Sequence, residues 1–129
     1  MPDFIYNGTT YHNPVEFVLD LLGGKWKMPI LWRLRERSMR YGELRDDIPS
    51  ITTKMLTQQL RDLERHGFIS RTVHPVVPPH VDYALTERGR GTIQVINSLR
   101  DYGLVLMEEV SISIPANTSR NKRSAGKRL

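Results

Sequence analysis

The chain has 129 residues, enough for one domain with a real core. It has no cysteine, which excludes disulfides, thiolate nucleophiles, Cys-ligated zinc and thiol redox sensing. The net charge of +5 is unevenly placed: Arg120, Lys122, Arg123, Lys127 and Arg128 lie in an acid-free stretch from Pro115 to Leu129, and without them 14 basic residues face 14 acidic ones. A nucleic-acid reading must therefore rest on where charges sit in the body.

The N-terminus, MPDFIYNGTT, lacks the basic segment and apolar stretch of a signal peptide, so a cytoplasmic protein with no membrane partner is expected. Asn7-Gly8, flanked by Ile5-Tyr6 and Thr9 to Tyr11, predicts a small hairpin across Phe4 to His12. Asn13-Pro14-Val15-Glu16 opens a helix as cap, first helical residue and capping-box acid. That helix is expected to bury Phe17, Val18, Leu21 and Leu22, and Gly23-Gly24 stops it. A second helix is predicted from about Lys25 to Arg37, with Trp26, Ile30, Leu31 and Leu34 on its apolar side and Pro29 tolerated near the first turn.

A short helix follows across Tyr41 to Ile48, with Tyr41, Leu44 and Ile48 inward. Pro49 to Ile51 is a tight connection. Ser50 or Thr52 then caps a helix of about 52–66, which Gly67 terminates. Leu56, Leu60 and Leu63 make one face of it apolar, while Lys54, Thr57, Gln58, Arg61 and Arg65 carry the opposite face. Long donors of this kind suit the major groove, because Arg and Lys match guanine acceptors and Gln matches adenine. A short helix, a turn and an amphipathic basic helix form a helix-turn-helix pattern.

After Gly67 the period changes from 3.6 to 2. Ile69 to His74 and Val81 to Leu85 predict a two-stranded wing (about 69–85), joined by the irregular Pro75-Val76-Val77-Pro78-Pro79-His80. Thr86-Glu87 opens a last helix to about Val110. Its apolar residues include Ile93, Ile96, Leu99 and Leu106, with Val95 and Tyr102 adding a second stripe. Two stripes fit either packing on another subunit or a wholly internal core. The fold class is α+β, mostly helical: a winged helix-turn-helix with terminal dimerisation helices over 1–114, and a basic, disordered tail over 115–129.

Several motifs resemble the HxlR-type family of bacterial winged helix-turn-helix regulators. They are Asn13-Pro14-Val15-Glu16, Gly23-Gly24-Lys25-Trp26-Lys27, Tyr41-Gly42-Glu43-Leu44-Arg45, Lys54-Met55-Leu56-Thr57-Gln58-Gln59-Leu60, Val77-Pro78-Pro79 and Tyr83-Ala84-Leu85-Thr86. The resemblance implies a homodimer built from terminal helices, with a recognition helix in the major groove and a wing on flanking backbone. It also implies a transcriptional regulator, with repression the default, on a pseudo-palindromic operator. Many members carry a cysteine just before the proline of the first helix. Asn13 stands there in this chain, so thiol sensing does not carry over.

On this reading Thr57, Gln58 and Arg61, then Lys54, are the base-contact candidates, and Arg65 lies farther along. Thr53 and Ser50 are candidates for phosphate contact at the helix N-terminus. Arg40, Tyr41 and Arg45 either clamp phosphates or form a solvated basic edge. Arg71, His74 and His80 lie along the wing as DNA-contact candidates, with the two histidines placed to reach the minor groove or a phosphate. Phe17, Leu21, Ile96, Leu99, Tyr102 and Leu106 are the dimerisation candidates. No cofactor or metal is expected: a zinc pair at His74 and His80 lacks further ligands in the sequence. The partners are double-stranded DNA and a second copy; a small-molecule effector, if one acts, would bias the spacing of the two recognition helices. The alternative is a winged-helix module that contacts protein, against which Lys54, Gln58 and Arg61 argue. No HExxH motif, P-loop or dinucleotide fingerprint supports an enzyme.

Overall fold

The structure is a computed structural model that describes residues Met1–Ile112. The expected domain end at Ile114 and the basic tail beyond it lie outside the described residues. The elements in chain order are β1 (Phe4–Tyr6), β2 (Thr9–Tyr11), α1 (Pro14–Leu22), α2 (Lys27–Arg33), β3 (Met39–Arg40), α3 (Tyr41–Asp47), α4 (Thr53–Arg65), β4 (Ile69–His74), β5 (His80–Leu85) and α5 (Glu87–Glu109). The class is α+β and mostly helical, a winged helix-turn-helix.

Local chemistry sets most boundaries. Asn7 and Gly8 both take positive φ, as the β1–β2 turn requires. The Asn13 side chain accepts from Glu16 N at 2.8 Å, and the Glu16 carboxylate accepts from His12 N at 2.9 Å, so the first helix is capped on both sides. Thr52 caps α4 by accepting from Met55 N at 3.1 Å. Ser50 does not cap; it sits in the preceding turn with φ +68. At the far end of α4, Gly67 takes φ +81 and Phe68 N donates to Leu63 O at 2.9 Å, closing the helix with a left-handed residue. Thr86 caps α5 by accepting from Gly89 N.

Three expectations are corrected. The second helix is shorter than Lys25–Arg37. It ends at Arg33 because the chain must turn back to place the buried Met39 beside Tyr83. The expected two-stranded wing is present as the β4–β5 hairpin, and the short β3 joins it in an antiparallel sheet of order β3-β5-β4. Its last strand starts at His80, one residue earlier than expected. The first helix is not fully buried within the chain: Leu22 is buried, Phe17 and Leu21 are half-buried, and Val18 is 37% exposed.

One core unites α2, α3, α4, the wing base and α5. Ile30, Leu31, Leu44, Leu56, Leu60, Leu63, Ile69 and Ile96 are its fully buried large side chains. Burying each is worth about 1.5–3 kcal/mol relative to exposure. α4 thus has its apolar face fixed on the core, which fixes the direction of its other face. The β1–β2 hairpin packs separately on α1, with Phe4, Tyr6 and Tyr11 each meeting the Phe17 ring edge-on at 5.0–5.3 Å.

Candidate nucleic-acid interface

Lys54, Gln58 and Arg61 form a single exposed stripe along α4, at spacings of four and three residues. No hydrogen bond or ion pair engages their side chains among the described residues. They are donors presented to solvent from a helix whose back is buried. Arg65 extends the stripe by one turn but is ion-paired with Asp62, so its charge is offset locally. Thr53 is exposed at the N-terminus of the same helix.

Thr57 differs from its neighbours. It is half-buried, and its Oγ1 lies 2.9 Å from the Tyr41 hydroxyl, which also reaches Thr53 O at 3.1 Å. Tyr41 therefore ties α3 to α4. Two ion pairs reinforce that arrangement from α2. Lys27 Nζ lies 3.4 Å from Asp62 Oδ2 on α4, and Arg33 Nε donates to Asp47 Oδ2 on α3 at 3.0 Å. Both cations are well shielded, with side chains 14% and 8% exposed. The two helices of the motif are thus held by one helix behind them. Neither Lys27 nor the Tyr41–Thr57 contact was evident from periodicity, because each links elements distant in sequence.

The expected backbone-contact residues are spread around this core motif. Arg40 is exposed at the end of β3, and its N–H donates to Glu43 Oε1 at 2.9 Å. That bond, with the Arg37 guanidinium at 3.4 Å, holds the Glu43 carboxyl below its ordinary pKa. Arg45 is exposed and lies 3.6 Å from Asp46. Ser50 is exposed in the turn before α4.

The wing candidates fall on two faces. Strand alternation and pairing put Arg71 on the side of Tyr83, and His74 and His80 on the side of Asp82. Arg71 is exposed beside the buried Tyr83. Burial pushes the Tyr83 hydroxyl pKa up, and the Arg71 guanidinium pulls it the other way. His74 is not a free donor: its Nε2 lies 3.0 Å from Asp82 Oδ2. His80 Nε2 lies 3.8 Å from Asp82 Oδ1, and the two imidazole rings stack with centroids 4.6 Å apart. The sequence reading missed Asp82. The signal was the alternation of His80 and Asp82 on one strand, legible only once the strand is known to start at His80.

The dimerisation candidates also divide. Leu99, Tyr102 and Leu106 are 52%, 63% and 40% exposed along the outer half of α5. Phe17 and Leu21 line a groove of about 390 Å³ between α1 and α5, together with Val18 and Val95. Ile96 is corrected: at 1% exposure it belongs to the protomer's own core and offers no surface to a second copy. No described helix is long and apolar enough to cross a membrane.

The comparisons agree with this architecture. A family profile described as "HxlR-like helix-turn-helix" matches residues 21–111. The chain is similar to an uncharacterized HTH-type transcriptional regulator of Bacillus subtilis, YdeP, with 50% identity over 90 residues, covering 70% of each chain. Among solved structures, it resembles the redox regulator HypR in its reduced form, with a TM-score of 0.73 and 40% identity over 78% of this chain and 100% of that one. It also resembles the reduced form of the transcriptional regulator YodB from B. subtilis, with a TM-score of 0.64 and 32% identity over 71% and 91%.

Proposed function

This chain belongs to the HxlR-like helix-turn-helix family, whose members named above are transcriptional regulators and not enzymes, and from that premise we propose that it is a cytoplasmic, homodimeric repressor of a pseudo-palindromic operator. The observation that carries the proposal is the exposed, unpaired stripe of Lys54, Gln58 and Arg61 on the second helix of the motif. On this reading α4 enters the major groove. Gln58 and Arg61 read base edges, and Lys54, Thr53 and the N-terminus of α4 meet phosphate. Thr57 contributes through Tyr41 as much as by itself, since their hydroxyls already pair. Arg40, Arg45, Ser50 and Arg71 supply flanking phosphate contacts, and Arg65 adds least because Asp62 offsets it.

A second copy packs on the apolar surface left open on α5 and beside α1. Leu99, Tyr102 and Leu106 form its exposed part, with Phe17 and Leu21 in the adjoining groove. Half-sites about one helical turn apart, or slightly more, follow from two such wings. "Redox regulator" describes HypR; this chain has no cysteine, so any effector acts by means other than its own thiols.

The test is selection from random double-stranded DNA at two salt concentrations, using the full chain and the variants Gln58→Ala and Arg61→Ala. The wild type should recover an inverted repeat at both salts. Each variant should lose about 1–3 kcal/mol of discrimination at one position of each half-site, roughly 5- to 150-fold, while remaining dimeric. Unchanged preference in both variants would refute the assignment of α4.

A further inference from the structure

The outer face of the wing carries a cluster that the regulator reading does not use. Register places it there. His74 pairs directly with His80 across the hairpin, and Asp82 follows His80 by two residues, so all three side chains leave the same face. Among the described residues, these three form the one group of histidine and acidic side chains whose ligand atoms come together, all within 4.8 Å of one another.

We propose that His74, His80 and Asp82 form a binding site for a divalent transition-metal ion of the zinc class. The distances suit one ion. Ligand bonds of about 2.0–2.1 Å around a tetrahedral centre put donor atoms about 3.3 Å apart. His74 Nε2 lies 3.0 Å from Asp82 Oδ2 and His80 Nε2 lies 3.8 Å from Asp82 Oδ1, so each imidazole faces its own carboxylate oxygen at a separation near that value. His80 Nε2 lies beyond hydrogen-bond reach of Asp82, and the ring stacks on that of His74, so this nitrogen is left available to an ion.

The donor set also selects the ion. Two imidazole nitrogens and one carboxylate suit zinc and its first-row neighbours, whereas calcium and magnesium prefer oxygen ligands throughout. All three residues are half-buried, so an ion can enter and a fourth position stays open to water or an anion. Arg40 stands opposite Asp82 on β3 but makes no ion pair with it among the described residues, which leaves the carboxylate available. A bound ion would tie β4 to β5 at the mouth of the exposed loop of residues 75–79 and would outweigh the negative charge of Asp82.

The full chain, freed of metal by chelation and dialysis, should be titrated with cobalt(II), followed by its visible ligand-field absorption, and then with zinc in competition. Expected is one equivalent per chain, displaced by zinc. His80→Ala and Asp82→Asn should weaken binding by more than about tenfold, and His12→Ala should not change it. Circular dichroism checks that each variant is folded. Cobalt should also broaden the ring resonances of His74 and His80 in the wild type, which needs no variant. Absence of saturable binding, affinity unchanged from wild type in the two wing variants, or broadening centred on His12 or His66 would overturn the site.

Discussion

Gly89→Ala should destabilise the protein severely, although the change adds only a methyl group to a helix. Gly89 lies in the first turn of α5, and a Cβ there would sit 2.0 Å from Phe68 O and 3.1 Å from Phe68 C. Both neighbours are backbone, so no side chain can swing away. Restoring a contact of about 3.2 Å requires the end of α4 and the start of α5 to separate by about 1.2 Å. Two hydrogen bonds from Thr86 span that junction: Thr86 N to Phe68 O at 3.1 Å and Thr86 Oγ1 to Gly67 O at 2.6 Å. Such a separation carries both beyond bonding distance. Losing them costs about 1–3 kcal/mol together, and overpacking adds about 1–3 kcal/mol. The better helix propensity of alanine returns about 0.5–1 kcal/mol. The net loss is therefore about 1–5.5 kcal/mol, a large share of the about 5–15 kcal/mol typical of a domain. Gly42→Ala is the control: it is also helical, and its Cβ would meet nothing within 4 Å. It should be neutral or stabilising by up to about 1 kcal/mol. Urea denaturation followed by circular dichroism measures both variants. If Gly89→Ala lies within about 1 kcal/mol of wild type, the junction yields to the added methyl group and is not rigid.

Lys27→Met keeps the side-chain length but removes the partner of Asp62, which retains Arg65. A loss of up to about 1 kcal/mol is expected, and a double-mutant cycle with Asp62→Asn should give a favourable coupling; zero coupling would mean that this contact does not help to hold α4. Glu43 has a folded-state pKa below its ordinary value, because the Arg40 N–H and the Arg37 guanidinium favour its charged form. Its contribution is therefore fully present above the ordinary carboxylate pKa and is lost as pH falls through the depressed folded value. Wild type should exceed Glu43→Gln in stability at neutral pH, and the gap should close in acid. A gap that stays constant with pH would assign the effect to shape instead of charge.

Features governed by adjacent residues were legible in the sequence. Asn13, Thr52 and Thr86 act on backbone within three residues, and Gly67 acts at its own φ, so each boundary follows from local chemistry. The apolar back of α4 was equally clear, since three leucines at helical spacing need a core. Periodicity marks an apolar face but not what covers it. That is why Ile96 and Leu99, three residues apart on one helix, end up respectively in the protomer core and in solvent. The two-residue β3 carries no pattern of its own and exists because Met39 and Arg40 find Tyr83 and Asp82. The wing cluster depends on register, and moving the strand start by one residue changes which side chains share a face. The Tyr41–Thr57 contact spans 16 positions, and only the tertiary arrangement brings the two hydroxyls together.

α5 is also a lever. Its near end is fastened to the end of α4 through Thr86 Oγ1 on Gly67 O and Arg88 Nη1 on His66 O at 2.7 Å. With 23 residues it is about 34 Å long. Its first half is packed in the core as far as Ile96, so the free arm is about 20 Å, and a displacement of about 3 Å at the far tip is a rotation of about 9°. The gearing runs both ways. Under the proposed dimer, a second copy packed on the outer half of α5 would act through this arm on the helix that faces solvent with Lys54, Gln58 and Arg61, and a coarse movement at the tip would become a small angular one at the motif.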